Sequence, residues 1–594
     1  MSSSRCYPVL QCIAFLVGLL FLAVTIPAPV PAADHVSGDM DGDDRVDLND
    51  AILSLLVQSG LNPAQVRPDF PSAGVDVNLD GRIGLAEAIH ALQRLERTTV
   101  VRQYQTLELV FTAQTSPVNP FDTYLLKLEV TDPDGNSFTL DGFYDGDGFG
   151  GQDGAVWKAR LCPYMTGTWS WRTIVGDEPD SGLNGRHGQF VCVEGTDLGG
   201  LVRDGRYFRF QSGIHVFLQG NFLDFIGGLV PPSSHTFMSE LVGDENRDAL
   251  LARQYDTHAA NKINVYFANK GDYGGVSVTP WVGTGDANDK SRMDLARWKR
   301  YDNHLLSFKQ NNMFAEMWFF ADDSNFGALP EADKNRLFRY AMARTSAFTH
   351  TLYVIALEWG EGWTETMVNR AGDYLQAHNP WNRLLSVHNH TDWPFSGQSW
   401  PDFIATQCGN DCDAYGTNRL ARLMHANEEL PHLSEEYGIL FSDSDARLRA
   451  NVWASFLGGA AGGGTGSDIR SFFRFLNQSR IPFWRMEDAN DLLADGDRGS
   501  AKFCLAESGH HYLVYTTSGS FTLDVNGSEL SGYWFDPTDP DGDLGPSFAV
   551  AAGSQTFVPA ETEMVLWITD GSNLGSGITH PTADSGLVQE IIAD

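Results

Sequence analysis

Two pairs of glutamates stand at the ends of candidate strands. Residues 352–357 are wholly apolar, as a strand buried on both faces must be, and the chain then reads Glu358-Trp359-Gly360-Glu361-Gly362-Trp363. Residues 431–434 lead likewise into Glu435-Glu436-Tyr437-Gly438. Paired carboxyl groups are the inventory that cleavage of a glycosidic bond requires: one protonates the leaving oxygen, and the other attacks carbon or activates water. Polar residues after other apolar runs are candidates to hold a polyhydroxylated ligand in the same cleft. They are Asn221 and Asp224, then Asp322 with Asp323, then His388 and His390. The period-two spacing of the histidines predicts that they face the same way. Trp359, Trp363 and Trp393 offer flat rings for stacking on sugar faces.

For these residues to meet, the runs before them must be parallel strands of one sheet. Over residues 200–482 apolar runs alternate with amphipathic stretches, the rhythm of repeated βα units. Candidate strands fall at 214–218, 263–267, 313–320, 352–357, 384–387, 403–406 and 431–434, with an eighth in the glycine-rich stretch 456–466. Helical stretches include 295–310, 334–348 and 446–456. Eight units in a segment of this size predict a (β/α)8 TIM barrel, whose chemistry sits at the C-terminal strand ends. An open doubly wound sheet is the alternative, but no glycine-rich phosphate loop follows the first strand. Residues 102–198 and 484–570 read as short strands broken by turns such as Asp132-Pro-Asp-Gly135, and predict flanking β-sandwiches. Residues 571–594 carry many Gly, Ser and Thr and read as a flexible tail.

Near the N-terminus the chain offers a second kind of site. Asp76, Asn78, Asp80, the carbonyl of Arg82, and Glu87 occupy ligand positions 1, 3, 5, 7 and 12 of an EF-hand calcium loop, and Gly81 allows its sharp turn. Upstream, Asp39, Asp41, Asp43, the carbonyl of Arg45, Asp47 and Asp50 repeat the pattern, with Asp44 in the glycine position. Each loop precedes a helix-like run. Residues 34–98 therefore resemble a dockerin, a small helical module built on a pair of such loops. The resemblance implies bound Ca2+ and attachment to a cohesin-bearing scaffold protein; a stand-alone calcium-stabilised module is the other reading.

The composition sets the setting. A formal charge of −35 excludes nucleic-acid partners, whose phosphates would be repelled. Arg5, the apolar run 9–26 and the small residues Val30-Pro31-Ala32 predict a signal peptide over 1–32, hence a secreted or cell-surface protein. Export permits disulfides. Cys162 and Cys192 share one strand-rich segment, and Cys408 and Cys412 flank a short turn, so both are candidate pairs; Cys504 is left over.

Between about 100 and 570 the chain resembles the clan A retaining glycosidases, and more closely the apiosidase-like secreted barrels that carry an N-terminal immunoglobulin-like sandwich and a C-terminal sandwich of the type named for collagen binding. The motifs that carry this are Gly205-Arg-Tyr-Phe208, Leu218-Gln-Gly-Asn221, Arg344, Val354-Ile355, Ser386-Val-His388, Glu436-Tyr-Gly438, the stretch 454–462, Tyr512-Leu-Val-Tyr515 and Trp534-Phe-Asp-Pro537. The resemblance implies a retaining glycoside hydrolase of a polysaccharide or oligosaccharide, needing no catalytic cofactor. It makes Glu361 the acid/base and Glu436 the nucleophile, with Glu358 and Glu435 as rivals. The chain departs from the clan pattern at Gly360, where an asparagine is expected. That departure points to the alternative, a non-catalytic carbohydrate- or matrix-binding protein on a degenerate barrel.

Overall fold

The computed structural model describes residues 38–43, 46, 48–70, 76–78, 80–94, 99–115, 117–174, 180–222, 262–266, 272–273, 276–277, 280–283, 288–310, 313–320, 328–408, 412–436, 444–463, 470–499, 501–576 and 587–592. They fall into two compact units, 1–98 and 99–594. The expected signal peptide lies outside the described residues.

The first unit is a pair of helices, α1 (Leu48–Gln58) and α2 (Leu85–Arg94). Its two halves repeat: the spacing from Asp39 to Asp76 is also that from Leu48 to Leu85 and from Ala51 to Ala88. Small residues at matching positions, Ala51 and Ser54 on α1 and Ala88 and Ala91 on α2, are buried and let the helices pack closely. Met40 and Leu53 form a minimal core with Val66, Phe70 and Ile83 against it. So small an apolar core cannot offset the ordering entropy of such a unit alone.

The second unit is multi-domain and β-rich. It opens with two facing sheets. One orders Thr99–Arg102, His187–Val193, Gly167–Ile174, Lys127–Thr131 and Ser137–Asp141; alternate residues of Gly167–Ile174, Trp169 and Trp171 among them, point inward. The other orders Val588–Ile591, Leu107–Thr112, Val156–Leu161 and Phe143–Tyr144. Val588–Ile591 corrects the expected tail. It pairs in parallel with Leu107–Val110, and Gln589 donates from Nε2 to Glu108 Oε1 at 2.8 Å. Four residues of a Gly/Ser/Thr-rich stretch, Val588 and Ile591 among them, found a sheet edge whose backbone groups needed partners.

The central sheet comprises β1 (Leu218–Phe222), β2 (Lys262–Tyr266), β3 (Phe314–Phe320), β4 (Thr351–Ala356), β5 in two pieces (Leu385–Ser386 and His388–Asn389), β6 (Ile404–Gln407), β7 (His432–Glu436) and β8 (Gly462–Gly463). All its ladders are parallel. The row runs from the first piece of β5 through β4, β3, β2, β1, β8, β7 and β6 to the second piece. No ladder joins the two end pieces, which are separated in the chain only by Val387. Helices α3 (Leu295–Gln310), α4 (Glu331–Thr345), α5 (Glu365–Ala377), α6 (Ala414–Asn427), α7 (Asp445–Leu457) and α8 (Arg470–Ser479) intervene or follow. Every residue of β3 and β4 is buried, as sheets covered on both faces require. The first strand begins at Leu218, not 214, because His215–Val216 instead turns back on Tyr207–Phe210. β8 is short and all glycine for a steric reason: a Cβ on Gly462 would lie 2.0 Å from the Leu218 carbonyl oxygen.

Strands Lys502–Glu507, His511–Thr516, Met564–Thr569 and Leu530–Phe535 form the body of the C-terminal sandwich. It docks on α7, where Trp453 stacks on Tyr515 at 5.8 Å and Arg449 makes two hydrogen bonds to Glu563 at 2.7 and 2.8 Å.

The N-terminal sandwich meets the central sheet's helices through a buried ionic network. Arg160, from strand Val156–Leu161, lies against Asp302 of α3 with both guanidinium–carboxylate distances at 2.9 Å, and its Nε donates to Glu108 at 2.8 Å. Arg344 of α4 spans Asp302 and Asp145, at 2.7 Å to each, and Lys158 Nζ lies 2.7 Å from Asp145. All six side chains are at most 3% exposed. Burial alone would raise the Glu108 carboxyl, but Arg160 and Lys158 outweigh it and hold it at about 2. Asp302 is driven far below the carboxylate range, because two guanidinium groups overcome its desolvation. Asp302→Ala leaves Arg160 and Arg344 without their shared counter-ion. It is expected to cost about 3–5 kcal/mol, read as a lowered denaturant midpoint, with the loss far smaller in Asp539→Ala on the surface.

A half-buried carboxyl joins the feet of β5 and β6. Asp402 Oδ2 accepts from Leu385 N at 3.0 Å, and Asp402 N donates to Leu385 O at 2.8 Å. Burial raises its pKa from 3.8 to about 6, against the lowering by that hydrogen bond and by Arg203. A raised folded value means the folded state holds the proton more tightly. The stabilisation is therefore complete below the unfolded value near 4 and lost as pH climbs through about 6. Asp402→Asn removes that dependence while keeping an acceptor. Melting curves are expected to show the variant above the parent at pH 8, by on the order of 2–3 kcal/mol, and no better than it at pH 4.

Candidate active site

The glutamate after β4 occupies a strained backbone position. Leu357 N still bonds Phe320 O at 3.0 Å, as if the strand continued, but Glu358 turns into the left-handed region at φ 44°, ψ 50°. A non-glycine residue there costs on the order of 1 kcal/mol, and such strain gathers where a side chain must be aimed. A single 3-10 turn, Trp359–Glu361, follows.

The side chain of Glu358 is held across neighbouring strand ends. Its Oε1 accepts a hydrogen bond from Gln407 Nε2, at the end of β6. Its backbone N–H donates to Nδ1 of His388, on β5, at 3.3 Å. Gln407 Nε2 also lies 2.7 Å from His390 Nδ1, and Gln407 N donates to His390 O at 3.1 Å. In the β6–β7 ladder Gln407 is opposite Glu436, with a register shift between Thr406 and Gln407. The C-terminal ends of β4, β5, β6 and β7 thus converge on one cluster: Glu358, His388, His390, Gln407 and the Glu436 backbone. The end of β6 is fixed by the Cys408–Cys412 disulfide. The Cys412 carbonyl accepts from Arg447 and Asn451 at 3.0 and 3.1 Å.

The other expected residues fall in several places. Glu361 sits on the turn, exposed and outside the cluster. Glu435 is fully buried within β7. Asn221 lies on β1; Asp224, Asp322 and Asp323 lie outside the described residues. His388 and His390 do not share one environment, because the strand ends at Asn389: His388 is fully buried with its ring 5.2 Å from Trp318, whereas His390 is exposed. Trp363 and Trp393 are corrections. They are 7% and 8% exposed and offer no free face. Lys334 lies 4.7 Å over the Trp363 ring, and Trp393 packs edge-on against Phe395. Trp359 is half-buried beside Phe395 at 5.3 Å. The Cys162–Cys192 pairing is also corrected. Both thiols are free and buried, Cys162 against Arg383 at 3.3 Å and Cys192 against the Val193 carbonyl.

Gln407 is the residue the sequence reading missed. Its signal was its place: the first residue after the apolar run 403–406, the position that drew attention to Glu358 after 352–357.

In the first unit, the Asp39, Asp41 and Asp43 carboxylates offer oxygens all within 4.8 Å of one another. Asp50 closes that loop by accepting from Met40 N at 2.5 Å. In the second loop Gly81 has φ 76° and its N–H donates to Asp76 at 2.7 Å, while Asn78 and Asp80 bond each other. Arg82 N donates to Asp80. Glu87 is 1% exposed; one oxygen accepts from Gly84 N, and Oε1 is buried without a hydrogen-bond partner. Asp44, Arg45 and Asp47 lie outside the described residues.

Residues 100–176 match the family model of a domain of unknown function, DUF5060. No curated protein matches the chain. Among solved structures, a candidate glycoside hydrolase from Bacteroides vulgatus is similar with a TM-score of 0.62 at 17% identity, covering 79% of this chain and 99% of that one. A glycoside hydrolase family 5 protein from the same organism gives 0.51 at 16% identity, covering 63% and 94%. Another glycoside hydrolase gives 0.51 at 15% identity, covering 63% and 98%. These likenesses show the fold: the second unit is built as glycoside hydrolases of known structure are.

Proposed function

We propose that the chain is an exported glycoside hydrolase that cleaves a polysaccharide or oligosaccharide with retention. The central row is read as a (β/α)8 barrel whose ring is completed by the chain itself at Val387. The observation that carries the proposal is the Glu358 carboxylate, held at the C-terminal end of β4 by Gln407, one strand from Glu436. In this reading Glu436 attacks the anomeric carbon while Glu358 gives its proton to the departing oxygen. Glu358 then takes a proton from the water that displaces Glu436 from the sugar. Glu358 is preferred to Glu361 because it touches β5 and β6, whereas Glu361 stands exposed on the following turn. The space around Gly360 is open, so no steric demand excludes an asparagine there. His390 and Trp359 are the remaining candidates at the rim for sugar contacts.

The first unit is proposed to bind Ca2+. The fit rests on its oxygens: three clustered carboxylates in one loop, and in the other a buried glutamate oxygen with no hydrogen-bond partner. Bound there, the ion would supply the cross-linking that this small core lacks; Asp76, Asn78, Asp80 and Glu87 would hold one, and Asp39, Asp41 and Asp43 the other. A docking role toward a cohesin-like scaffold is favoured by one observation. Leu48, Ile52 and Leu55 on α1, and Leu85, Ile89 and Leu92 on α2, form matching stripes of exposed aliphatic residues. If the unit serves only as a stand-alone calcium module, the full chain will show no cohesin affinity that these stripes carry.

Hydrolysis of a panel of 4-nitrophenyl glycosides and polysaccharides tests the catalytic reading. Glu436→Ala is expected to abolish turnover. Glu358→Ala should lose about 10²–10⁴-fold on unactivated substrates, keep activity on activated aryl glycosides and be rescued by azide. Glu361→Ala should stay within a few-fold of the parent. The azide-rescued phenotype in Glu361→Ala instead would make Glu361 the acid/base. Hydrolysis indifferent to all three would leave the non-catalytic carbohydrate-binding reading.

Calorimetric titration tests the ions. Asp76→Ala is expected to bind one Ca2+ fewer per chain than the parent, and the helices of the first unit should melt at lower temperature. An unchanged stoichiometry would refute the second-loop site.

A further inference from the structure

We propose that Gln407 is a positioning residue for Glu358, whose side-chain amide serves that carboxyl in both of its protonation states by turning over. The proposal rests on the reading of Glu358 as acid/base. It starts from an unusual sharing: one nitrogen, Gln407 Nε2, faces both Glu358 Oε1 and His390 Nδ1. An amide nitrogen carries two hydrogens, so each neighbour receives one. This arrangement needs an accepting Glu358 oxygen, which the carboxylate supplies most strongly, and a bare lone pair on His390 Nδ1, with the imidazole proton on Nε2.

Rotating the amide by half a turn puts Oε1 where Nε2 was. The oxygen then accepts from a protonated Glu358 and from Nδ1–H of the other neutral His390 tautomer. Each orientation satisfies both neighbours, and neither requires a charged histidine. The acid/base of a retaining glycosidase must be protonated in the first half-reaction and ionised in the second. A fixed donor would serve only the ionised form; a reversible amide serves both, the ionised one more strongly because a hydrogen bond to a charged group is the stronger. The proton that Glu358 loses goes to the leaving oxygen, and the one it regains comes from the attacking water. His390 is exposed, so its tautomer exchange proceeds through solvent with no net proton gained.

The surroundings allow this turn to be the amide's own. Gln407 is 6% exposed, so water has little access to the amide itself. The register shift at Gln407 leaves Glu435 as an extra residue on β7, while β6 runs on from Thr406 to Gln407 without one. The Cys408–Cys412 bridge begins at the next residue and holds the backbone still while the amide rotates. Among the described residues, the titratable groups around the pair are His388 and His390 on the β5 stretch and Glu361 on the turn. Glu316 and Glu435 are buried on the neighbouring strands β3 and β7, and Glu436 is in register with Gln407.

Gln407→Met keeps the length and removes both hydrogen-bonding ends. With the full chain and the unactivated oligosaccharide or polysaccharide it turns over fastest, kcat is expected to fall at least about tenfold with KM little changed. Because the ionised carboxylate loses a donor, the basic limb of the kcat/KM profile should move to higher pH, by about one pH unit. A merely structural role would lower the amount of folded enzyme and leave that limb in place. Should Gln407→Met fail to fold, His390→Ala is expected to move the same limb in the same direction by a smaller amount. An unmoved limb in the folded variant overturns the proposal. Turnover indifferent to Glu358→Ala would instead remove the reading of the site on which it rests.

Discussion

Six buried charges hold the N-terminal sandwich to the central sheet, and the geometry of the strand ends depends on them. Three acids, Glu108, Asp145 and Asp302, face three bases, Lys158, Arg160 and Arg344. Desolvating each ion costs several kcal/mol, which close pairing offsets only when the geometry is good and every hydrogen-bonding group is used. Here the Arg160 guanidinium spans two carboxylates and also bonds the Arg344 carbonyl at 2.6 Å, and Arg344 reaches Tyr340 at 2.8 Å. Such a set forms only if the sandwich strands and helices α3 and α4 arrive in one relation. Those two helices flank β3 and β4, so the network sets the frame from which Glu358 is presented. Even the end of the chain contributes, since Gln589 on the returning strand bonds Glu108.

Within that frame the site is made by strand ends rather than by one motif. β4 delivers Glu358 through a left-handed residue, β5 supplies His388 under its amide, β6 supplies Gln407, and β7 brings Glu436 into register. Parallel strands of one sheet bring residues far apart in sequence to a common edge, and here that edge carries groups spanning residues 358 to 436. The aromatic residues nearby serve mostly to pack. Phe395 is in edge contact with Trp359, Trp393 and Trp400, which gives the rim after β5 a rigid apolar floor.

The two compact units solve stability by different means. The second buries large apolar clusters in its sandwiches and central sheet, with the ionic network as a specific lock. The first has almost no apolar core, and its order rests on short-range polar geometry: carboxylates turned onto backbone N–H groups in both loops, and small residues between its helices. Acidic loops of this kind repel themselves unless a cation gathers them, which agrees with the proposed Ca2+.

Periodicity and local chemistry made much of this legible without a structure. The apolar run of 352–357 could only be a covered strand, and it is β4; helices α3, α4 and α7 lie where amphipathic stretches fell, within a few residues. Asp76 and Gly81 are local in cause, because a turn residue and the carboxylate that caps it are close in the chain. What required the tertiary structure were relations between distant residues. The Cys162 thiol meets Arg383 across a domain boundary and stands free of Cys192. Val588–Ile591 is a strand because an edge far earlier in the chain lacked a partner. Glu358 and Glu361 follow the same run, and the resemblance favours Glu361; the left-handed turn and the reach of Gln407 belong to Glu358 alone. Side-chain burial of Trp363 and Trp393 was likewise undecidable, because a ring that stacks on sugar and a ring that packs on Phe320 or Phe395 have the same local sequence signature.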